Sequence, residues 1–179
     1  MQQRVAAIDL RSEEEAVIEI DTVLPDWVQS TLAERSVPID LDLNLNAGVS
    51  VLALPKTLHQ VVYDLVRNGM EAMGLKRPDQ KIVIHTRISP DAHYVDISIW
   101  NSGPAIPISV QPKLFNALYS SKGQERGIGL LFARAAMDRM KGEVWLDSSS
   151  EDEGTRFVVR LRISGEHIQK VRGEEYDDK

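Results

Sequence analysis

The sequence predicts a two-layer α/β (α+β) sandwich: a mixed, mostly antiparallel sheet with helices on one face. Three observations predict it. Several segments alternate apolar and polar residues with the period of half-buried strands. Two segments, around 57–73 and 127–140, carry a continuous apolar face at helical spacing. No regular strand–helix–strand repeat runs through the chain, which argues against a doubly wound parallel sheet.

The elements follow in order. Residues 1–15 are polar and helix-permissive, with little apolar stripe. Ala16–Ile20 reads as a short strand. Val23, Trp27, Val28 and Leu32 recur at helical spacing, predicting a helix over 23–34 that Asp21 or Thr22 can cap. Ile39, Leu41, Leu43 and Leu45 alternate with Asp40, Asp42 and Asn44, a half-buried strand, and Val49–Leu54 is a second one ended by Pro55. Thr57–Met73 is the strongest helix, with Leu58, Val61, Val62, Leu65, Gly69 and Ala72 on one face and Gly74 as its stop. Lys81–Ile88 and Tyr94–Trp100 form a hairpin. Residues 101–126 are rich in Gly, Pro and Ser, with one helical turn near 112–118. Gly127–Met140 is the last helix, and Glu143–Leu146 and Thr155–Ile163 are strands joined by the polar stretch DSSSEDEG. The domain therefore spans 16–165, between a flanking segment at 1–15 and a polar tail at 166–179.

Composition narrows the function. A chain of 179 residues, 42% hydrophobic and 27% charged, is an ordinary globular domain able to bury a core of its own. It has no cysteine, so thiol nucleophiles, disulfides and cysteine-bound zinc are excluded. A net charge of −6 is a poor basis for binding nucleic acid. The longest apolar runs are too short to cross a bilayer, and the N-terminus lacks the apolar core of a signal peptide.

Four constellations carry candidate chemistry. On helix 57–73, Asp64 and Asn68 are four residues apart and share a face, with Glu71 nearby. Their hard oxygens suit magnesium, although such pairs also occur on plain solvated faces. WNSGPAIP, at the exit of a strand, is a tight turn that also lets a flat ligand approach backbone. In YSSKGQERGIGLLFARAAM, Gly127 and Gly129 open a helix whose free N–H groups can bind phosphate, with Lys122 and Arg126 close in sequence. EDEGTRF opens the final strand and by itself reads as a turn.

Taken together and in this order, the four resemble the ATPase superfamily shared by sensor histidine kinases, type II topoisomerases, mismatch-repair ATPases and heat-shock chaperones, with its Bergerat-type fold. LHQVVYDLVRNGMEAM resembles the asparagine box, NSGPAIP the first glycine box, KLFNALYSSKG the phenylalanine-bearing lid motif, RGIGLLFARAAM the second glycine box, and EGTRFVVRL the Gly-Thr box. The short lid, 107–126, is similar to that of the histidine-kinase branch. The resemblance implies ATP and Mg²⁺ as cofactors. It implies that Asn68 holds the metal and that Asp64 stands where other branches place a water-activating glutamate. Asn101 would receive the adenine amino group, Gly103 would let the base lie flat, and Thr155 would support it, with Ala105, Ile106 and Tyr119 around the nucleotide. Lys122, Arg126 and the helix opening Gly127, Ile128, Gly129 and Leu130 would cradle phosphates, with Arg134 a further candidate.

The chain departs from the family where Asn101 replaces an aspartate, Ala105 a glycine, and Glu125 a lid glycine. None of the four histidines is followed by an acidic residue, so the phosphoacceptor is expected outside this chain. The implied activity is transfer of the ATP γ-phosphate to a histidine on a helical dimerisation domain, of which residues 1–15 would be the end. A response regulator is then a partner and the location cytoplasmic, in a parent open to membrane anchoring. Three alternatives stay open: a degenerate docking module, an anti-sigma-type serine kinase, and a topoisomerase- or chaperone-like ATPase in which Asp64 activates water.

Overall fold

A computed structural model describes residues 13–75, 79–116 and 128–165. Its elements run β1 (Ala16–Glu19), α1 (Ile20–Leu32), β2 (Asp40–Leu45), β3 (Ser50–Ala53), α2 (Pro55–Met73), β4 (Lys81–Ile88), β5 (Tyr94–Asn101), a 3₁₀ turn at Gln111–Lys113, α3 (Ile128–Arg139), β6 (Glu143–Ser150) and β7 (Gly154–Arg162). Five strands form one sheet in the order β2-β4-β5-β7-β6. Only β2 and β4 are parallel; the other three pairings are antiparallel. Strands β1 and β3 make a small antiparallel sheet, joined to the end of β7 by a bridge between Val51 and Ile163. The mixed sheet of the sequence reading is present.

Alternation decides which face is covered. Ile82 and Ile84 of β4, Val95, Ile97 and Ile99 of β5, and Phe157, Val159 and Leu161 of β7 are buried against the helices. Helix α2 meets them with Leu58, Val61, Val62, Leu65 and Met73, and contacts both α1 and α3.

Both ends of α2 are capped by distant residues. Leu54, at its N-cap, offers no side-chain bond. Glu13 supplies it: its carboxylate accepts from Lys56 N–H at 2.5 Å, from Thr57 N–H at 3.2 Å and from Thr57 Oγ1 at 2.6 Å. At the other end the Arg35 guanidinium donates to the carbonyls of Met70 and Gly74. An anion at the N-terminus and a cation at the C-terminus both complement the helix dipole. Glu13, read as flanking segment, is thus bonded into the helix that carries Asp64 and Asn68.

The structure departs from expectation in three respects here. Helix α1 starts at Ile20 rather than Val23, because Ile20 is fully buried and extends the stripe of Leu24, Val28 and Thr31 back by a turn. Asp21 does not cap it; it accepts from Thr86 Oγ1 and Gly48 N–H, tying the β2–β3 loop to β4. Strand β6 runs four residues beyond Leu146. A register shift between Leu146 and Ser148 breaks the alternation, so a paired strand reads as a polar loop.

Candidate functional site

The site grows from the place where the apolar rows of β5 and β7 turn polar. Asn101 follows Val95, Ile97 and Ile99 on the covered face, and Thr155 precedes Phe157 and Val159 on the neighbouring strand. The two are cross-strand partners and both are buried. Asn101 Oδ1 accepts from Gly103 N–H at 3.0 Å, and its Nδ2 donates to the Thr155 carbonyl at 3.3 Å.

Glycines make this corner possible. A Cβ on Gly103 would lie 2.6 Å from Asn101 Oδ1, and one on Gly69 of α2 would lie 3.0 Å from Asn101 Cβ. Gly154 has φ +73°, and a Cβ there would sit 2.4 Å from the Asn101 carbonyl oxygen. That position demands glycine on both conformational and steric grounds.

A chain of hydroxyls fastens the following loop. Ile106 N–H donates to Ser149 Oγ at 2.8 Å, Ser149 Oγ lies 2.8 Å from Thr155 Oγ1, and Thr155 Oγ1 donates to the Pro104 carbonyl at 3.4 Å. One proton order satisfies all of it: Ile106 to Ser149, Ser149 to Thr155, Thr155 to Pro104. The loop Pro104–Ala105–Ile106 is closed onto the β6–β7 hairpin, and Ile106 packs on the core.

The other half is the polar face of α2. Asp64 and Asn68 are half-buried, one turn apart. Gln60 Nε2 donates to Asp64 Oδ1 at 3.0 Å. A Cβ on Gly129, in the first turn of α3, would lie 3.3 Å from Asp64 Cγ, so the opening of α3 comes directly against this carboxylate. Burial pushes the Asp64 carboxyl above the ordinary carboxylate range, against the smaller opposing effects of the Gln60 bond and Arg67. Glu71 does not join them: it pairs with Arg67 at 3.1 Å.

The structure therefore brings together Asn101, Gly103, Ala105, Ile106 and Thr155 at the sheet end, and Asp64 and Gly129 at the helix opening. Asn68 follows one turn along α2, with Leu130 packed on the core beside Gly129. Arg134 is exposed on α3. Tyr119, Lys122, Glu125, Arg126 and Gly127, and the side chain of Ile128, lie outside the described residues. The lid motif enters at Phe115, whose ring packs edge-on against Phe157 with centroids 6.2 Å apart. His59 packs against Trp27 at 5.1 Å, as a structural histidine would. The residues not foreseen are Glu13, Gln60 and Ser149, together with Gly69 as a contact of Asn101; only the glycine, unusual inside a helix, left a sequence signal.

Among the described residues no group of three or more His, Asp or Glu gathers to hold a metal. A magnesium needs only one or two protein oxygens, the rest of its shell coming from substrate phosphates and water. Asn68, with Asp64 beside it, fits such a role.

A cavity of about 610 Å³ lies elsewhere, on the open face of the sheet, lined by residues such as His85, Trp100, Trp145 and Arg156. Its charged residues are ion-paired within or beside it: Lys81 with Asp40 and Asp42, Arg87 and Arg160 with Asp96, and Arg156 with Asp147. Among the described residues no helix is long and apolar enough to cross a membrane.

Known proteins share this fold. The sensor protein FixL of Bradyrhizobium diazoefficiens is 28% identical over 127 residues, covering 70% of this chain and 25% of FixL. The sensor protein TdiS of Thauera aromatica is 28% identical over 143 residues, covering 76% of this chain and 26% of TdiS. The chain thus spans about a quarter of the length of these relatives. The catalytic domain of histidine kinase ThkA superposes with a TM-score of 0.67 at 26% identity, over 83% of this chain and 95% of that one. The mycobacterial sensor histidine kinase MprB shares the fold, with a TM-score of 0.70 at 18% identity. The family model described as "Histidine kinase-, DNA gyrase B-, and HSP90-like ATPase" matches residues 53–165, from the last residue of β3 to just past β7, and the chain belongs to that family.

Proposed function

We propose that this domain binds ATP with Mg²⁺ and presents the γ-phosphate to a histidine on a helical dimerisation domain of a two-component sensor kinase. The observation that carries the reading is the meeting of two halves. The sheet end at Asn101 and Thr155 lies across Gly69 from the α2 face bearing Asp64 and Asn68, and the opening of α3 at Gly129 closes the other side.

On this reading Asn101 meets the base, Gly103 keeps backbone close beneath it, and Thr155 acts by holding Pro104 in place. Ala105 and Ile106 complete the wall. Asn68 holds the metal, which supplies charge neutralisation on the phosphates. The N–H groups at the opening of α3 face the phosphates. Lys122, Arg126, Gly127 and Tyr119 take the roles their motifs imply. The phosphorylated histidine passes its phosphoryl group to a response regulator, in the cytoplasm. The fixed scaffold does most of the work by positioning.

The test supplies a dimerisation domain bearing the acceptor histidine together with ATP labelled at the γ-phosphate. Labelling of that histidine, lost in Asn68→Ala, is the expected result; bound ATP without transfer contradicts it. A second reading, hydrolysis of ATP with Asp64 as base toward water, draws on the upward shift of the Asp64 carboxyl. Steady hydrolysis by the domain alone, abolished in Asp64→Asn, would favour it.

A further inference from the structure

The Asn101 amide is held in one orientation. Gly103 N–H can meet only an acceptor, so Oδ1 lies on its side at 3.0 Å. The Thr155 carbonyl can meet only a donor, so Nδ2 lies on its side at 3.3 Å. Both partners belong to backbone that is itself fixed: Gly103 is wedged beneath Asn101 and against Ala72, and Thr155 sits in the β5–β7 ladder. Turning the amide over would set donor against donor and acceptor against acceptor.

Once these bonds are counted, the amide retains one lone pair on Oδ1 and one hydrogen on Nδ2. A carboxylate in the same place would offer acceptors alone. The difference bears on the C6 position of a purine. A 6-amino group is a donor and pairs with either side chain. A 6-oxo group is an acceptor; a carboxylate repels it, whereas the spare Nδ2 hydrogen can donate to it.

We infer that the nucleotide site accepts 6-oxopurine nucleotides as well as 6-aminopurine ones, and that Asn101 is the residue that sets this breadth. The inference rests on the nucleotide reading proposed above and names the substrate class of that same site.

Titration calorimetry with magnesium and three diphosphates separates the two. ADP carries a 6-amino group, inosine diphosphate a 6-oxo group, and purine riboside diphosphate only hydrogen at C6. The expected result is that ADP and inosine diphosphate bind within about tenfold of each other, and that purine riboside diphosphate binds more weakly than both. In Asn101→Asp the ratio of inosine diphosphate to ADP affinity is expected to shift at least roughly tenfold toward ADP relative to the parent. Preference of the parent for ADP by about a hundredfold or more, or binding of only the 6-oxo nucleotide, would overturn the inference while leaving a nucleotide site in place. Equal binding of all three diphosphates would remove Asn101 from base selection. No binding by any of them would overturn both this inference and the nucleotide reading. The three-ligand comparison on the parent domain decides the matter even if Asn101→Asp fails to fold.

Discussion

Gly69 and Asn101 approach so closely that any side chain at Gly69 would require Asn101 to give way by a few tenths of an ångström. A Cβ on Gly69 would lie 3.0 Å from Asn101 Cβ and 3.1 Å from its Cγ and Nδ2. A mid-helix glycine costs about 1 kcal/mol relative to alanine, and here that cost accompanies contact between α2 and the sheet end. Gly69→Ala gains in helix propensity and loses in sterics. The expected outcome is a thermal midpoint within a few degrees of the parent, with nucleotide affinity reduced about tenfold or more as Asn101 is pushed aside. Unchanged affinity in a folded variant would mean that Asn101 does not need this position.

Ser149→Ala removes the middle of the hydroxyl chain and leaves Ile106 N–H and Thr155 Oγ1 each short of a partner. A loss of about 1–2 kcal/mol in stability is expected from denaturant unfolding. Nucleotide affinity should fall with it, because Pro104–Ala105–Ile106 is no longer held. Ser149→Thr, which keeps the hydroxyl, should restore most of both. If Ser149→Ala binds nucleotide like the parent, the clasp serves the fold alone.

Much of this site is legible in the sequence because strand alternation is so regular. Val95, Ile97 and Ile99 fix the phase that turns Asn101 inward, and the row Phe157, Val159, Leu161 does the same for Thr155. The helical stripe of α2 likewise puts Asp64 and Asn68 on one side of it. What periodicity cannot carry is a contact set by irregularity or by distance along the chain. Ser149 follows a register shift, so its hydroxyl reaches the loop from a segment without alternation. Glu13 bonds Lys56 and Thr57 from 43 and 44 residues away, with nothing local to announce it. The pairing of Glu71 with Arg67 rather than with Asp64 is a choice between neighbours on one helix that spacing leaves open.

Glu13→Ala should lower stability by about 1–2 kcal/mol, since it strips the N-terminus of α2 of the anion that satisfies Lys56 and Thr57 N–H. Chemical denaturation measures it. Equal stability would mean that water replaces the carboxylate without loss.

The Asp64 carboxyl is raised in the folded domain, chiefly by burial. The folded state therefore holds this proton more tightly than the unfolded chain does. Its contribution to stability is fully present below the unfolded value and is lost as pH rises through the higher folded value. Asp64→Asn removes the charge while keeping an acceptor for Gln60. The variant is expected to unfold at a higher temperature than the parent at neutral pH, with the gap narrowing as pH falls into the carboxylate range. A gap that is constant or widens toward acid would contradict the burial of this charge.

The most direct measurement is titration of the domain with ATP and ADP by calorimetry, with and without magnesium, in the parent and in Asn68→Ala. The predicted result is binding in the micromolar to millimolar range that depends on magnesium and loses that dependence in Asn68→Ala. Absence of binding under all conditions, or magnesium-dependent binding that Asn68→Ala leaves unchanged, would contradict the assignment of this corner of the fold as a nucleotide site with Asn68 at the metal.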